Sequence, residues 1–324
     1  MRGHAISEAI FESMNLIRID IMGNRPYEYS HDATKIKCLD FFTNEFVRML
    51  TEQTDRFQAI CDLLADDLSR ETYLADIKNR ILRLYFSGFL ADQLTNAGLY
   101  SAAEHRRDII DYKTNPMAGH WSDFIANDVM IAIKGQYSIA GIFEIKPGDI
   151  VLDVGSYNGV TAIHFAHQAG PSGHVYSLEP VLEQFSEAEK NTAPYENITC
   201  VPLGLSNRVG VCRFSSQGAV SRIDDSGDKL VNIDTLDHFV SDRALQKIDL
   251  IKMDIEGGEL KALYGSLQTI NRFRPRLAIC IYHNEGEDLL TIPLFIQQMD
   301  LNYGFYIRKY HMSWQETVLL ALPK

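Results

Sequence analysis

The chain of 324 residues has little of several features that would assign a function at once. Its five cysteines form no CxxC pair, which leaves no zinc signature, and their odd number suits reduced thiols in the cytosol. Acidic residues outnumber basic ones by 43 to 31, which argues against a nucleic-acid partner. There is no apolar run long enough for a membrane span, and no apolar stretch typical of a secretory signal at the N-terminus. These absences predict a cytoplasmic protein with neither nucleic acid nor membrane as partner.

The first third of the chain has the periodicity of amphipathic helices. Apolar residues recur at helical spacing around Leu39 to Met49, around Phe57 to Leu68 and around Leu74 to Tyr85. We predict an N-terminal helical domain over residues 1–115 that serves as a cap or dimerisation module. A lid that closes over a substrate is the alternative. The turn-rich residues 113–119 would connect it to a second domain, residues 116–324.

From about residue 130 the pattern changes to strands that alternate with helices. Strands are predicted at residues 150–154, 174–179, 198–203, 248–254 and 277–282. Helices are predicted at residues 160–169, 181–191, 235–246, 260–270 and 289–299. Strands separated by helices of this length form a parallel sheet through right-handed crossovers. Two final strands, 305–310 and 317–322, are separated by only a short polar turn and should pair as an antiparallel hairpin. The fold class is therefore α/β, with a mostly parallel Rossmann-like sheet.

A glycine-bounded loop, Gly155-Ser156-Tyr157-Asn158-Gly159, follows the first predicted strand and precedes a helix. A dinucleotide site needs a glycine at the middle position, so that the backbone can approach the pyrophosphate, but this loop has Tyr157 there. S-adenosylmethionine has no phosphate, and the loop therefore favours this cofactor. Asp153, just before the turn, could meet the ammonium group of the cofactor directly or through the loop backbone. The alternative is a simple strand-to-helix turn capped by Asn158.

Glu179 ends the second predicted strand, 26 residues after Asp153. An acidic residue at about this distance beyond a glycine loop can accept hydrogen bonds from the hydroxyls of an adenosine ribose. The alternative is a solvated carboxylate at a strand end. A ribose contact does not separate NAD from S-adenosylmethionine.

The stretch around Asp254 ends another buried strand, at the edge where open α/β sheets bind ligands. Asp254 could face the transferred group and the acceptor, and Gly257 and Gly258 would allow a tight turn there. With Glu256 it forms a set of only two carboxylates, which is too few to predict Mg²⁺, and we predict no metal site. Glu259 would open the next helix and have a structural role.

Tyr282 and His283 end the fifth predicted strand. Histidine is a natural general base for a hydroxyl, because its pKa lies near neutrality. The alternative is an ordinary surface or capping histidine.

Residues from about 135 to 322 resemble the FkbM-type S-adenosylmethionine-dependent methyltransferases. The matching stretches are residues 148–155, 178–180, 204–206, 235–237, 252–257 and 282–283. The resemblance implies a class I methyltransferase fold and methyl transfer, usually to a hydroxyl of a sugar or natural product. By position, the resemblance implies cofactor contacts at Asp153, Gly155, Asn158, Gly159 and Glu179. We predict further cofactor contacts at Ser156, Tyr157, Ser206 and Asp254. The family often has Ala-Asn where this chain has Ser156-Tyr157, so Tyr157 is the departure from the pattern.

We therefore predict an O-methyltransferase that uses S-adenosylmethionine and acts on a small-molecule hydroxyl held beneath the helical cap. In this hypothesis His283, assisted by Asp254, deprotonates the acceptor, and Tyr282 shapes the pocket. The alternatives are an N-methyltransferase, an NAD-dependent oxidoreductase and a non-catalytic interaction protein. A homodimer through the helical domain is a further expectation. The sequence does not identify the acceptor.

Overall fold

The computed structural model describes residues 4–23, 44–85, 88–95, 131, 135–217, 220–223, 227, 229–310 and 315–324. The chain divides into two compact units, each assembled from segments that are distant in sequence. Unit 1 consists of Met1–Tyr100, Ile281–Leu294 and Phe305–Thr317, and unit 2 of Ser101–Cys280, Phe295–Gly304 and Val318–Lys324. The predicted connection at residues 113–119 and the predicted helical positions Leu39 and Phe42 lie outside the described residues.

The N-terminal part of unit 1 is helical, as predicted. Its helices are α1 (Ala5–Gly23), α2 (Glu45–Glu52), α3 (Thr54–Leu63), α4 (Asp67–Leu82) and α5 (Gly88–Thr95). The predicted stripe around Phe57 faces the interior, because Phe57 and Ile60 of α3 are fully buried. The stripe from Leu74 to Tyr85 is confirmed only in part: Ile77 and Ile81 are buried, whereas Leu84 is 38% exposed.

The predicted stripe from Phe57 to Leu68 is not one helix. The chain leaves α3 at Leu63, and Asp66 caps α4 by accepting a hydrogen bond from the Ser69 N–H at 2.8 Å. Arg308 donates to the same carboxylate at 2.6 Å. Burial acts to raise the pKa of Asp66, but the hydrogen bonds from Arg308 and Ser69 lower it to about 2. An aspartate at this position therefore favours a new helix start over a continuous helix.

The remaining elements include the strands and helices that carry the candidate cofactor site. The strands are β1 (Ile150–Val154), β2 (His174–Leu178), β3 (Ile198–Val201), β4 (Gly204–Leu205), β5 (Gly210–Gln217), β6 (Val220–Ile223), β7 (Lys229–Asp234), β8 (Leu250–Met253), β9 (Arg276–Cys280), β10 (Tyr303–Lys309) and β11 (Thr317–Pro323). The helices are α6 (Val160–Ala169), α7 (Leu182–Thr192), α8 (Leu236–Asp242), α9 (Glu259–Tyr264), α10 (Leu267–Phe273) and α11 (Asp288–Gln298).

Seven strands form the main sheet, in the order β10-β11-β9-β8-β1-β2-β3. The neighbours from β9 to β3 are parallel, and β11 runs antiparallel to β9. The predicted fold class is confirmed: a mostly parallel sheet with antiparallel C-terminal strands and an N-terminal helical region. The carboxyl ends of β1, β2 and β8 meet at one edge of this sheet, which places Asp153, Glu179 and Asp254 on neighbouring strands.

Two predicted helices differ from those observed. The predicted helix 260–270 is two helices, α9 and α10, separated at Gly265. A Cβ atom on Gly265 would lie 2.1 Å from the backbone oxygen of Ser206, so this position admits only glycine. The predicted helix 235–246 is the shorter α8, which Thr235 caps by accepting from the His238 N–H at 3.1 Å.

A second sheet, in the order β4-β7-β5-β6, is absent from the sequence prediction. One face of it is buried through Cys212, Phe214, Val231 and Ile233, which pack with Val181. The opposite face exposes apolar side chains, with Val211 53% and Leu230 65% exposed. Apolar residues on both faces hide the alternation that normally reveals a strand.

Among the helices that the structure describes, none combines the length and the hydropathy that a membrane crossing requires.

Candidate cofactor and catalytic site

The predicted glycine loop forms a tight turn at the carboxyl end of β1. Gly155 adopts φ +78°, and a Cβ atom there would lie 1.9 Å from the backbone oxygen of Asp254. The turn continues through Tyr157, which also has a positive φ of 50° and is 40% exposed. Gly159, with φ 84°, is the N-cap of α6. The loop therefore packs against the end of β8 with no space for a side chain at Gly155.

The backbone amides of the loop donate within the protein. Gly155 and Ser156 both donate to the Leu178 carbonyl oxygen, at 3.0 and 3.2 Å. The amide of Tyr157 donates to Glu179 Oε2 at 3.1 Å. A phosphate-binding loop instead directs its amides at the ligand. The hydrogen bonding thus adds a second argument against a pyrophosphate site, beside the side chain of Tyr157.

Glu179 is connected directly to this loop. Its Oε1 atom accepts from the Val181 N–H at 2.9 Å, while Oε2 accepts from Tyr157, and the side chain is only 6% exposed. Burial raises the pKa of Glu179 to about 7, against the lowering effects of both N–H groups and of the Lys252 charge. The carboxylate is thus held in one orientation and titrates near neutrality.

A buried ion pair lies beneath the loop. Lys252 Nζ is 3.0 Å from Asp153 Oδ1, the two residues are register partners on β8 and β1, and neither side chain is more than 2% exposed. Lys252 also donates to the Gly155 carbonyl oxygen at 2.6 Å. Asp153 is fully buried, and Lys252 connects it to the backbone of the loop. Its action on a cofactor, directly or through the loop backbone, stays a prediction.

The charges of this pair depend on each other. Burial acts to lower the pKa of Lys252, but the carboxylates of Asp153 and Asp254, with Cys280, together outweigh it and raise that pKa. Burial also raises the pKa of Asp153, against the effect of Lys252. The lysine thus stays protonated and makes the negative charge of Asp153 tolerable in the interior.

Ser156 and Asn158 of the loop make structural contacts. Ser177 Oγ donates to Ser156 Oγ at 2.7 Å. The Asn158 side-chain oxygen accepts from the Val160 N–H at 3.4 Å, close to the capping role considered as an alternative. The Asn158 backbone oxygen accepts from Asn191 Nδ2 at 2.9 Å. These bonds brace the loop against β2 and α7.

Ser206, another predicted cofactor contact, follows β4 of the smaller sheet. It is 3% exposed, and its N–H donates to the Asp234 carbonyl oxygen at 2.8 Å. Its contact with a cofactor stays a prediction.

Beyond β8 the chain makes the turn expected of the Asp254 segment. Glu256 and Gly257 have φ 54° and 94°, and α9 begins at Glu259. Glu259 is fully buried and accepts from the Ile255 N–H at 2.8 Å, which is a structural arrangement. Asp254 itself is partly exposed at the edge of the sheet.

The sequence reasoning missed Tyr137, which belongs to unit 2. Its hydroxyl donates to Asp254 Oδ2 at 3.1 Å, and its ring centroid lies 5.4 Å from Lys252 Nζ. Only the neighbouring Gly135, in a segment with no strand or helix pattern, hints at the turn that buries this tyrosine. A contact that joins residues 117 positions apart has no local signal.

Tyr282 and His283, the other predicted catalytic residues, lie in unit 1. They are 7% and 8% exposed, with ring centroids 4.1 Å apart. Arg80 of α4 donates to the Tyr282 carbonyl oxygen at 3.1 Å, and its Nε atom is 3.3 Å from Asp76 Oδ2. The N-terminal helices therefore hold the backbone that carries His283.

The motifs at the carboxyl ends of β1 and β8 lie within a stretch that matches a known family. Residues 153–306 match the model of the methyltransferase FkbM domain. Over these residues, just under half of the chain, the sequence is similar to the FkbM family of methyltransferases. The predicted family is confirmed, and the same match supports the predicted class of enzyme.

Among the relatives of this chain are a 2-O-methyltransferase and a hexuronic acid methyltransferase. The chain is 26% identical over 165 residues to the 2-O-methyltransferase NoeI of Sinorhizobium fredii (strain NBRC 101917 / NGR234), covering 44% of this chain and 67% of that protein. It is 25% identical over 150 residues to the hexuronic acid methyltransferase AglP of Haloferax volcanii, covering 43% of this chain and 61% of that protein.

A solved structure shares the fold. The crystal structure of methyltransferase FkbM from Methylobacillus flagellatus KT superposes with a TM-score of 0.59 at 18% identity, covering 87% of this chain and 62% of that one. The chain thus spans about two thirds or less of the lengths of these relatives.

Proposed function

We propose that this chain is an S-adenosylmethionine-dependent O-methyltransferase that acts on a sugar hydroxyl. The observation that carries the proposal is the coupling of the glycine loop to Glu179, whose carboxylate accepts the amide of Tyr157. A carboxylate placed to bind a ribose suits a nucleoside. The amides of Gly155, Ser156 and Tyr157 donate within the protein, which suits a nucleoside that has no phosphate.

The residues present fit this cofactor. The turn at Gly155 has no space for a side chain, so the backbone itself would line the methionine end of the site. Glu179 would accept the ribose hydroxyls. Asp254, partly exposed beside the loop, would face the methionyl ammonium, which replaces the acceptor-side role expected from the sequence. When bound, S-adenosylmethionine supplies a methyl group on a positively charged sulfur, which an oxygen nucleophile accepts.

Methyl transfer of this kind depends mainly on positioning, and a base adds to it. His283 is the proposed base that accepts the proton of the acceptor hydroxyl, because histidine is the side chain that most often serves as a general base in enzymes. Its backbone is held by Arg80, since the preceding carbonyl oxygen accepts from that side chain.

The sugar acceptor is proposed from two of the relatives, whose names specify 2-O-methylation and a hexuronic acid. The test is transfer of a labelled methyl group from S-adenosylmethionine to a hexuronic acid, a neutral hexose and a hexosamine, with mass spectrometry of the products. O-methylated sugar supports the proposal, and methylation of the hexosamine nitrogen would favour the N-methyltransferase alternative. No transfer to any of them, together with no binding of S-adenosylhomocysteine, would reject it. His283→Gln with full turnover at neutral pH would remove the proposed base.

Glu179 should make cofactor affinity depend on pH. The ionised carboxylate is the better acceptor for ribose hydroxyls, and a pKa of about 7 leaves it mostly protonated at pH 6. We expect the affinity for S-adenosylhomocysteine to rise roughly tenfold from pH 6 to pH 8, as the ionised fraction rises from about a tenth to about nine tenths. Calorimetry at a series of pH values measures this rise. Glu179→Gln should bind weakly with no such rise, and an equal rise in this variant would assign the titration to another group.

A further inference from the structure

The contacts of Tyr137 are more specific than packing alone requires. The residue is 4% exposed, its ring packs edge-on against Phe165 at 6.1 Å, and its hydroxyl donates to Asp254 Oδ2 at 3.1 Å. A tyrosine hydroxyl on a partly exposed carboxylate fixes the direction in which that carboxylate points.

The backbone at Tyr137 is also unusual. Its φ is 70°, a left-handed conformation that a bulky residue rarely adopts. The turn is held by the Ser138 N–H, which donates to the Gly135 carbonyl oxygen at 2.9 Å. Strain of this kind persists where the surrounding structure imposes it, and it is concentrated at functional sites.

Of the three carboxylates at the ends of β1, β2 and β8, only one suits a cationic ligand group directly. Asp153 is fully buried and paired with Lys252. Glu179 is held by two backbone amides and is assigned to the ribose. Asp254 is partly exposed and lies beside the loop, since a Cβ atom on Gly155 would lie 1.9 Å from its carbonyl oxygen.

We infer that Tyr137 is a positioning residue that directs the Asp254 carboxylate at the amino-acid end of the cofactor. The inference rests on the proposed function. Tyr137 lies outside residues 153–306, so the family match does not assign it. Lys252 Nζ also lies 5.4 Å from the centroid of the Tyr137 ring. Tyr137 therefore contacts both Asp254 and the lysine of the ion pair beneath the loop.

The test compares two ligands on the full chain by calorimetry. S-adenosylhomocysteine has the amino-acid end, whereas 5′-methylthioadenosine lacks it. We expect Tyr137→Phe to weaken S-adenosylhomocysteine binding about tenfold and to change methylthioadenosine binding less than about twofold, because the substitution keeps the ring and removes the hydrogen bond to the charged Asp254.

A matched control is Tyr303→Phe, which removes the partly buried hydrogen bond from that hydroxyl to the Pro275 carbonyl oxygen at 2.7 Å. It should lower the melting temperature without changing either affinity. In an Asp254→Ala background, or Asp254→Asn where alanine does not fold, Tyr137→Phe should have no further effect on S-adenosylhomocysteine binding.

Two results would overturn the inference: equal losses for both ligands, or a Tyr137→Phe effect that persists without the Asp254 carboxylate. A wild-type chain that binds neither ligand would reject the proposed function itself, and with it this role.

Discussion

Replacing Lys252 with methionine is expected to destabilise the protein by about 3–5 kcal/mol, as is typical when one partner of a buried ion pair is removed. The variant would leave the carboxylate of Asp153 fully buried without its 3.0 Å partner. Denaturant unfolding followed by circular dichroism measures the loss. The destabilisation should be larger at pH 8 than at pH 5, because burial raises the pKa of Asp153 and protonation at low pH removes the uncompensated charge.

Two comparisons make the Lys252 prediction specific. Lys229→Met removes a surface ion pair with Glu183, in which the two side chains are 30% and 70% exposed, and should leave stability nearly unchanged. Adding Asp153→Asn to Lys252→Met should recover much of the loss, since no buried charge remains. A Lys252→Met variant as stable as Lys229→Met would refute the buried ion pair.

The second large effect is expected at Gly155. Alanine there would place Cβ 1.9 Å from the Asp254 backbone oxygen, at a φ of +78°. The strain and the forced displacement should together cost about 4 kcal/mol and abolish binding of S-adenosylhomocysteine. Thermal melting and calorimetry measure the two effects.

Gly141 offers the matched control for Gly155. Its φ of +72° is similar, but a Cβ atom there would have nothing within 4 Å. Gly141→Ala should therefore show only the conformational cost, about 1 kcal/mol, and leave cofactor binding unchanged. Equal losses in the two variants would mean that the contact with Asp254 has no consequence.

Much of the main sheet could be predicted, because its signals are local. The buried strand before Gly155 and the helix after Gly159 have the predicted bounds, 150–154 and 160–169. The split at Gly265 could not be predicted, since it depends on the approach of Ser206 from another sheet. A continuous apolar periodicity carries no information about such a contact.

The candidate site divides in the same way. Glu179 and Asp254 were predicted from their positions at strand ends. Lys252 had a usable sequence signal, because a lysine within a short buried strand needs an acidic partner. The observed register of β1 and β8 shows that this partner is Asp153. Tyr137 had no signal beyond the neighbouring Gly135, because its partners are distant in sequence and its turn has no regular pattern.

The interleaved composition of the two units has a consequence for protein engineering. The chain passes between them five times, at residues 100, 280, 294, 304 and 317. A fragment cut to the family-matched residues 153–306 would lack β11, the neighbour of β9 in the sheet, and would leave the segment Ile281–Leu294 without the N-terminal helices of its unit. To change the acceptor preference, individual side chains should therefore be substituted in the intact chain. Exchange of one contiguous segment with a relative would separate parts of the same unit.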